Sequence, residues 1–216
     1  MKSVAYLALL LAASVLHAAA QDVHALAGKV DDHYNHLTSL RAAYTEHYSG
    51  MGQQRTETGT LLLRKPGRMR WTYSSGKLFV LDGKFGISYT PGDPQAQRVP
   101  ARQLDDMRSP LRFLLGHTKL EKELDHLQAT PAANGAITLA GTPHYEMTPG
   151  DQRVQKIAVT VSPATGAIGA LRIEEIDGSF TEFVFHDMQE NVPAADVDFR
   201  FTPPAGVTVI DGLPPA

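Results

Sequence analysis

The sequence predicts a mainly β protein, a single antiparallel sheet of about eleven strands with two helices across its concave side. Three observations carry that prediction. Short alternating runs recur between turn-prone dipeptides such as Pro66-Gly67, Asp82-Gly83 and Asp177-Gly178. Only two stretches carry helical apolar spacing. No repeat, low-complexity tract or linker divides the 216 residues, so the strands belong to one sheet. A flat sheet of that size is rare, and it must curl into a barrel or partial barrel.

Residues 1–20 stand apart from this fold. Lys2 precedes an apolar run from Val4 to Leu16 and then Ala18-Ala19-Ala20, the charged start, hydrophobic centre and small-residue cleavage site of a secretory signal. The run is shorter than the roughly 20 apolar residues of a spanning helix. The expected product is a single domain, 21–216, freely moving outside the cytoplasm. The chain has no cysteine, so it forms no disulfide, binds no metal through thiolate and has no cysteine to carry a lipid anchor. Removing the signal leaves 19 basic against 23 acidic residues, a balance that argues against a nucleic-acid partner.

Along the mature chain, Val23, Leu26, Val30, Tyr34 and Leu37 recur at spacings of three and four, a first amphipathic helix with Asp22 at its start. Strands are expected at 40–48, 58–65, 68–73, 77–81 and 86–89. Pro91-Gly92-Asp93-Pro94 then interrupts the meander. Ser109-Pro110 opens a short apolar second helix containing Leu111, Phe113, Leu114 and Leu115, ended by Gly116 and followed by a charged helical segment with Leu120 and Leu124. Beyond Asn134-Gly135 strands return at 136–140, 143–148, 154–161, 168–176, 179–186 and 199–201.

Strand alternation sorts the first meander into two faces. Leu61, Leu63 and Lys65 share one face, and Met69, Trp71 and Tyr73 share one face of the next strand. With Phe79, Ile87 and Tyr89 they are candidates for an inner face, either an ordinary core or the wall of a pocket. Arg64 points away from Leu61 and Leu63, and the cluster Arg64, Lys65, Arg68, Arg70 reads as a solvated hairpin tip.

A search for chemistry finds no nucleophile elbow, phosphate loop or HExxH. Glu174 and Glu175 are adjacent on a strand and face opposite ways. His33 and His36 lie three apart on a helix, yet no third metal ligand accompanies them; Asp105-Asp106 suits a helix start. The expectation is a binding protein rather than an enzyme, with no cofactor.

Several of these segments together resemble the LolA family of periplasmic outer-membrane lipoprotein carriers. They are the first helix, Gly59 to Tyr73 with its basic-proline and tryptophan, Asp82-Gly83, Tyr89-Thr90-Pro91, Ser109 to Gly116, and Phe199-Arg200-Phe201-Thr202-Pro203-Pro204-Ala205-Gly206-Val207. The resemblance implies an unclosed β-barrel whose apolar concave face is covered by a helical lid. It implies a monomer that takes acylated lipoproteins from an inner-membrane lipoprotein-releasing ABC transporter to an outer-membrane acceptor where one exists. In the family an arginine directly before the turn proline points inward and hydrogen-bonds the lid. The matching position here is Lys65, with Arg64 one residue earlier, and Val30, Tyr34, Leu111, Phe113, Leu114 and Leu115 would be the lid residues around it. A periplasmic sensor of the RseB type and a carrier for another lipid export route are the competing readings.

Overall fold

The computed structural model describes residues 22–101, 119–144 and 154–212. Helix α1 (Val23–His36) is followed by β1 (Ser39–Gly50), β2 (Gln53–Arg64), β3 (Arg68–Tyr73), β4 (Leu78–Asp82), β5 (Phe85–Tyr89) and β6 (Gln95–Pro100). A one-turn helix α2 (Leu120–Glu123) leads into β7 (Leu124–Pro131), then β8 (Ile137–Pro143), β9 (Val154–Val161), β10 (Ile168–Glu175), β11 (Phe180–Glu190) and β12 (Thr208–Asp211). Among the described residues twelve strands form one open sheet in the order β12-β6-β5-β4-β3-β2-β1-β11-β10-β9-β8-β7. Every pairing is antiparallel except β12 on β6. The unclosed, mainly β architecture is the expected one.

The sheet is two meanders joined by β1 and β11. Tyr44 on β1 stands opposite Gly59 on β2 and opposite Phe185 on β11, so both halves contribute to one concave surface. Leu61 pairs with Trp71, and Leu63 with Met69; all four are almost fully buried. The other half adds Leu139, Val159 and Leu171, opposite one another along β8, β9 and β10 and equally buried. Helix α1 lays Leu26, Ala27, Val30 and Tyr34 into this core. The Asp22 carboxylate caps the helix by accepting from the His24 N–H at 3.0 Å.

Four expectations need correction. Leu120 and Leu124 do not share a helix, because helical geometry ends at Glu123 and Leu124 begins β7. A bulge between Asp125 and Gln128, with His126 at φ 55°, hides the strand period of β7. Strand β6 was missed because Gln95, Gln97 and Arg98 interrupt its apolar pattern. The closing strand is Thr208–Asp211; Phe199 instead ends a 3-10 turn, Asp196–Phe199. The break expected between 136–140 and 143–148 is absent, since β8 runs from Ile137 to Pro143 as one strand; 145–148 lie outside the described residues. So do residues 1–20, expected as a secretory signal, and Leu111, Phe113, Leu114 and Leu115, expected on an apolar second helix.

Gly59 sets how closely the central strands meet. A Cβ there would sit 2.3 Å from the Thr72 carbonyl oxygen and 2.4 Å from the Tyr44 hydroxyl, and backbone cannot yield as a side-chain tip does. Replacing Gly59 by Ala is therefore expected to destabilise the fold by about 1–3 kcal/mol, read as a lower urea midpoint at unchanged slope; an unshifted midpoint would show that the sheet opens freely here.

Candidate functional site

The concave face is built around five aromatic rings. Tyr44 is the hub, with centroids 4.7 Å from Trp71, 5.4 Å from Tyr73 and 6.0 Å from Phe183. Trp71 meets Phe183 at 5.1 Å and Phe185 at 6.4 Å. The contacts are tilted or edge-on, the arrangement aromatic quadrupoles prefer. Trp71 satisfies its indole N–H on the Met69 sulfur at 2.7 Å. Because these rings come from β1, β3 and β11, the surface is a property of the sheet and of no single segment.

Among the sequence candidates, Leu61, Leu63, Met69, Trp71, Tyr73 and Phe79 do share this face. Ile87 and Tyr89 do not. Phe79 faces Ser88 across β4 and β5, whereas Ile87 pairs with Val80, which pairs with Arg70 on the convex side. Tyr89 follows Ile87 by two and packs instead on Phe201, centroids 5.8 Å apart. Alternation within each strand does not carry the parity across the Asp82-Gly83 turn, and it gives no sign that Tyr44, Phe183 and Phe185 belong to the same wall. The alternation of Phe183 and Phe185 was visible, but the pairing of β11 with β1 was not.

The two basic candidates separate to opposite faces. The Lys65 ammonium donates to the carbonyl of Tyr34 in the last turn of α1, where the helix dipole favours a cation. Arg64 turns to the convex side, where it donates to the Ala194 carbonyl at 2.6 Å and pairs with Asp196. Arg70 donates to the carbonyls of Asp198 and Arg200, each at 3.2 Å. The basic cluster is therefore no solvated tip: it fastens the chain after β11 to the back of the sheet. Burial holds the Lys65 amine below its ordinary value.

Val30 and Tyr34 both face the core from α1. The Tyr34 hydroxyl accepts the Ile168 N–H at 3.0 Å, and burial pushes its pKa up to about 12. Helix α1 is thus tied to the start of β10 as well as to the end of β2. At the opposite end of the face, the buried Glu46 carboxylate accepts from the Tyr73 hydroxyl at 2.6 Å, and Lys77 lies on Glu57 at 2.6 Å and over the Tyr73 ring at 3.8 Å. An open groove of about 580 Å³ adjoins this end, lined by Tyr73, Lys77, Phe79, Tyr89 and Gln97 among others. His33 pairs with Glu190 at 2.8 Å and His36 with the Asp32 carbonyl at 2.6 Å; they do not converge. What the arrangement offers is apolar surface with a charged end, and among the described residues no cluster of metal ligands accompanies it.

Residues 35–202 match the family described as outer membrane lipoprotein carrier protein LolA. An outer-membrane lipoprotein carrier protein of Cupriavidus necator is 29% identical over 159 residues, 72% of this chain and 71% of that protein. One from Dechloromonas aromatica is 28% identical over 194 residues, 85% of this chain and 88% of its own. Two solved structures share the fold. An uncharacterized conserved protein from Thermus thermophilus matches at a TM-score of 0.56 and 12% identity, over 89% of this chain and all of its own. Lipoprotein LppX of Mycobacterium tuberculosis matches at 0.55 and 15%, over 82% and 99%.

The Lys65 environment predicts a pH dependence. Its amine is held low in the fold, so the proton binds the unfolded chain more tightly, and the resulting penalty is present below the folded pKa and vanishes as pH rises through the unfolded one. Relative to Lys65→Met, the native protein should gain stability as pH climbs toward 10.5, the ordinary lysine value. Paired urea titrations at neutral and alkaline pH read this difference, and a constant difference would contradict it.

Proposed function

The chain belongs to the LolA family of outer membrane lipoprotein carrier proteins, and from that membership we propose that it is a periplasmic chaperone holding lipoprotein acyl chains against its concave face. Family members are carriers and not enzymes. The observation that carries the finer reading is the aromatic surface of Tyr44, Trp71, Phe183 and Phe185 beneath α1. An acyl chain in water costs roughly 0.8 kcal/mol for each CH₂ left unburied, so a lipoprotein crosses the aqueous space only if a protein covers its chains. Rings and a methionine sulfur give a surface that adapts to flexible chains without demanding one shape.

In this reading the cargo arrives from an inner-membrane ABC transporter and leaves to an outer-membrane acceptor where one exists. The signal-like residues 1–20 deliver the carrier to the periplasm. Release of an acylated lipoprotein from inner-membrane preparations tests the function: adding the purified protein should bring lipoprotein into the soluble fraction. Cargo that stays with the membrane, together with no uptake of a fluorescent fatty acid, would defeat it.

Lys65 enters this reading as the latch between sheet and helix. Its contact with Tyr34 supports that role, and Arg64, held on the convex side by Ala194 and Asp196, is left out of it. A lysine has three donors on a point charge where an arginine would present a planar fork, so the hold on α1 is the weaker one. Lys65→Arg should slow the release of a bound fluorescent fatty acid in stopped-flow displacement. An unchanged rate would remove Lys65 from the release step.

A further inference from the structure

The convex side of the sheet carries a cationic groove that the acyl-binding face does not use. Arg41, Leu62 and Arg70 stand in one cross-strand row on β1, β2 and β3. Together with Val197, Asp198 and Arg200 from the segment after β11 they surround a space of about 530 Å³. Arg70 is fixed from one side by its two carbonyl acceptors. Arg41 and Arg200 are exposed, and among the described residues neither forms an ion pair. The one acid lining the groove, Asp198, accepts the Ala195 N–H at 2.7 Å. Asp196 nearby is paired with Arg64 and Arg68 and attracts Arg200 only at longer range. Three guanidinium groups therefore share one concavity on a chain whose net charge is −3.

Positive charges gathered against the overall balance repel one another until an anion enters. The surroundings select which anion. Thr60 and Thr72, opposite each other across β2 and β3, line the same groove, and their hydroxyls have no hydrogen-bond partner among the described residues. Guanidinium forks and hydroxyls together suit phosphate oxygens. Beside them Val197 is 64% exposed, an apolar side chain standing next to arginines. A small hydrated ion gains nothing from that neighbour, whereas a bilayer surface offers phosphate and acyl boundary side by side.

We propose that this groove docks the protein on an anionic phospholipid leaflet, with Arg41, Arg70 and Arg200 on the phosphodiesters and Val197 among the headgroups. The docking face is the reverse of the concave one and does not depend on what that face carries. Co-sedimentation of protein purified from the full-length chain with phosphatidylglycerol-containing vesicles tests it, beside vesicles of phosphatidylcholine alone.

Binding is expected only to the anionic vesicles and should fall as salt shortens the Debye length. At about fivefold per arginine near an anionic surface, the double variant Arg41→Gln, Arg200→Gln should partition about 25-fold more weakly. That variant should keep its urea midpoint and its fatty-acid uptake, which separates a lost docking groove from a lost fold or a failed cargo site. Equal binding to both vesicle types, or undiminished binding by the double variant, would overturn the proposal. Full displacement by inorganic phosphate at unchanged ionic strength would assign the groove to free phosphate and overturn membrane docking as well.

Discussion

Everything in this fold depends on parity along β2. Because successive side chains of a strand point to opposite faces, Leu61 and Leu63 fall inside and Leu62 and Arg64 outside, and the partners on β1 and β3 must follow. The constraint is tightened by Gly59, whose missing side chain lets the Tyr44 hydroxyl and the Thr72 carbonyl come close. A slip of one residue would exchange the two faces of β2. It would bring arginine into the aromatic wall and put leucine against the carbonyls of the C-terminal segment, so one register alone is compatible with both surfaces.

That parity explains how much of the structure was readable beforehand. The helix over Val23–His36 and the strands Arg68–Tyr73 and Val154–Val161 were legible because their apolar spacing is uninterrupted and their ends carry capping or turn residues. Strands β6, β7 and β12 were not. One is half polar, one is bulged at Asp125, and one is a four-residue edge strand paired in parallel, where alternation and turn chemistry give no signal. Half of the concave wall was legible for the same reason. Tyr44, Phe183 and Phe185 belong to it through the β1–β11 pairing, a contact between distant parts of the chain that no local pattern reports.

The two faces divide the electrostatics. On the concave side the buried Glu46 carboxylate is engaged by Tyr73 and the Tyr34 hydroxyl by Ile168, while the Tyr44 hydroxyl is buried without a hydrogen-bond partner among the described residues. A polar group left alone there costs about 1–3 kcal/mol. On the convex side Arg64, Arg68 and Arg70 gather the segment after β11, with the Arg64 guanidinium 5.3 Å from the ring of the buried Phe199. The basic turn that reads as exposed in sequence is the fastening of a second layer.

The pairing of β1 with β11 also has a kinetic side. The first strand of the sheet finds one neighbour at once, across the Met51-Gly52 turn, but its other edge stays open until residues 180–190 are present. Contacts so distant in sequence form slowly, because the entropy of closing the intervening loop is lost before the contact is gained. During that interval the half-sheet β1–β5 displays Leu61, Leu63, Met69 and Trp71 and an unpaired strand edge to the solvent. Until β11 arrives, the same side chains that line the finished concave face are therefore the part of the folding chain most open to association with another copy.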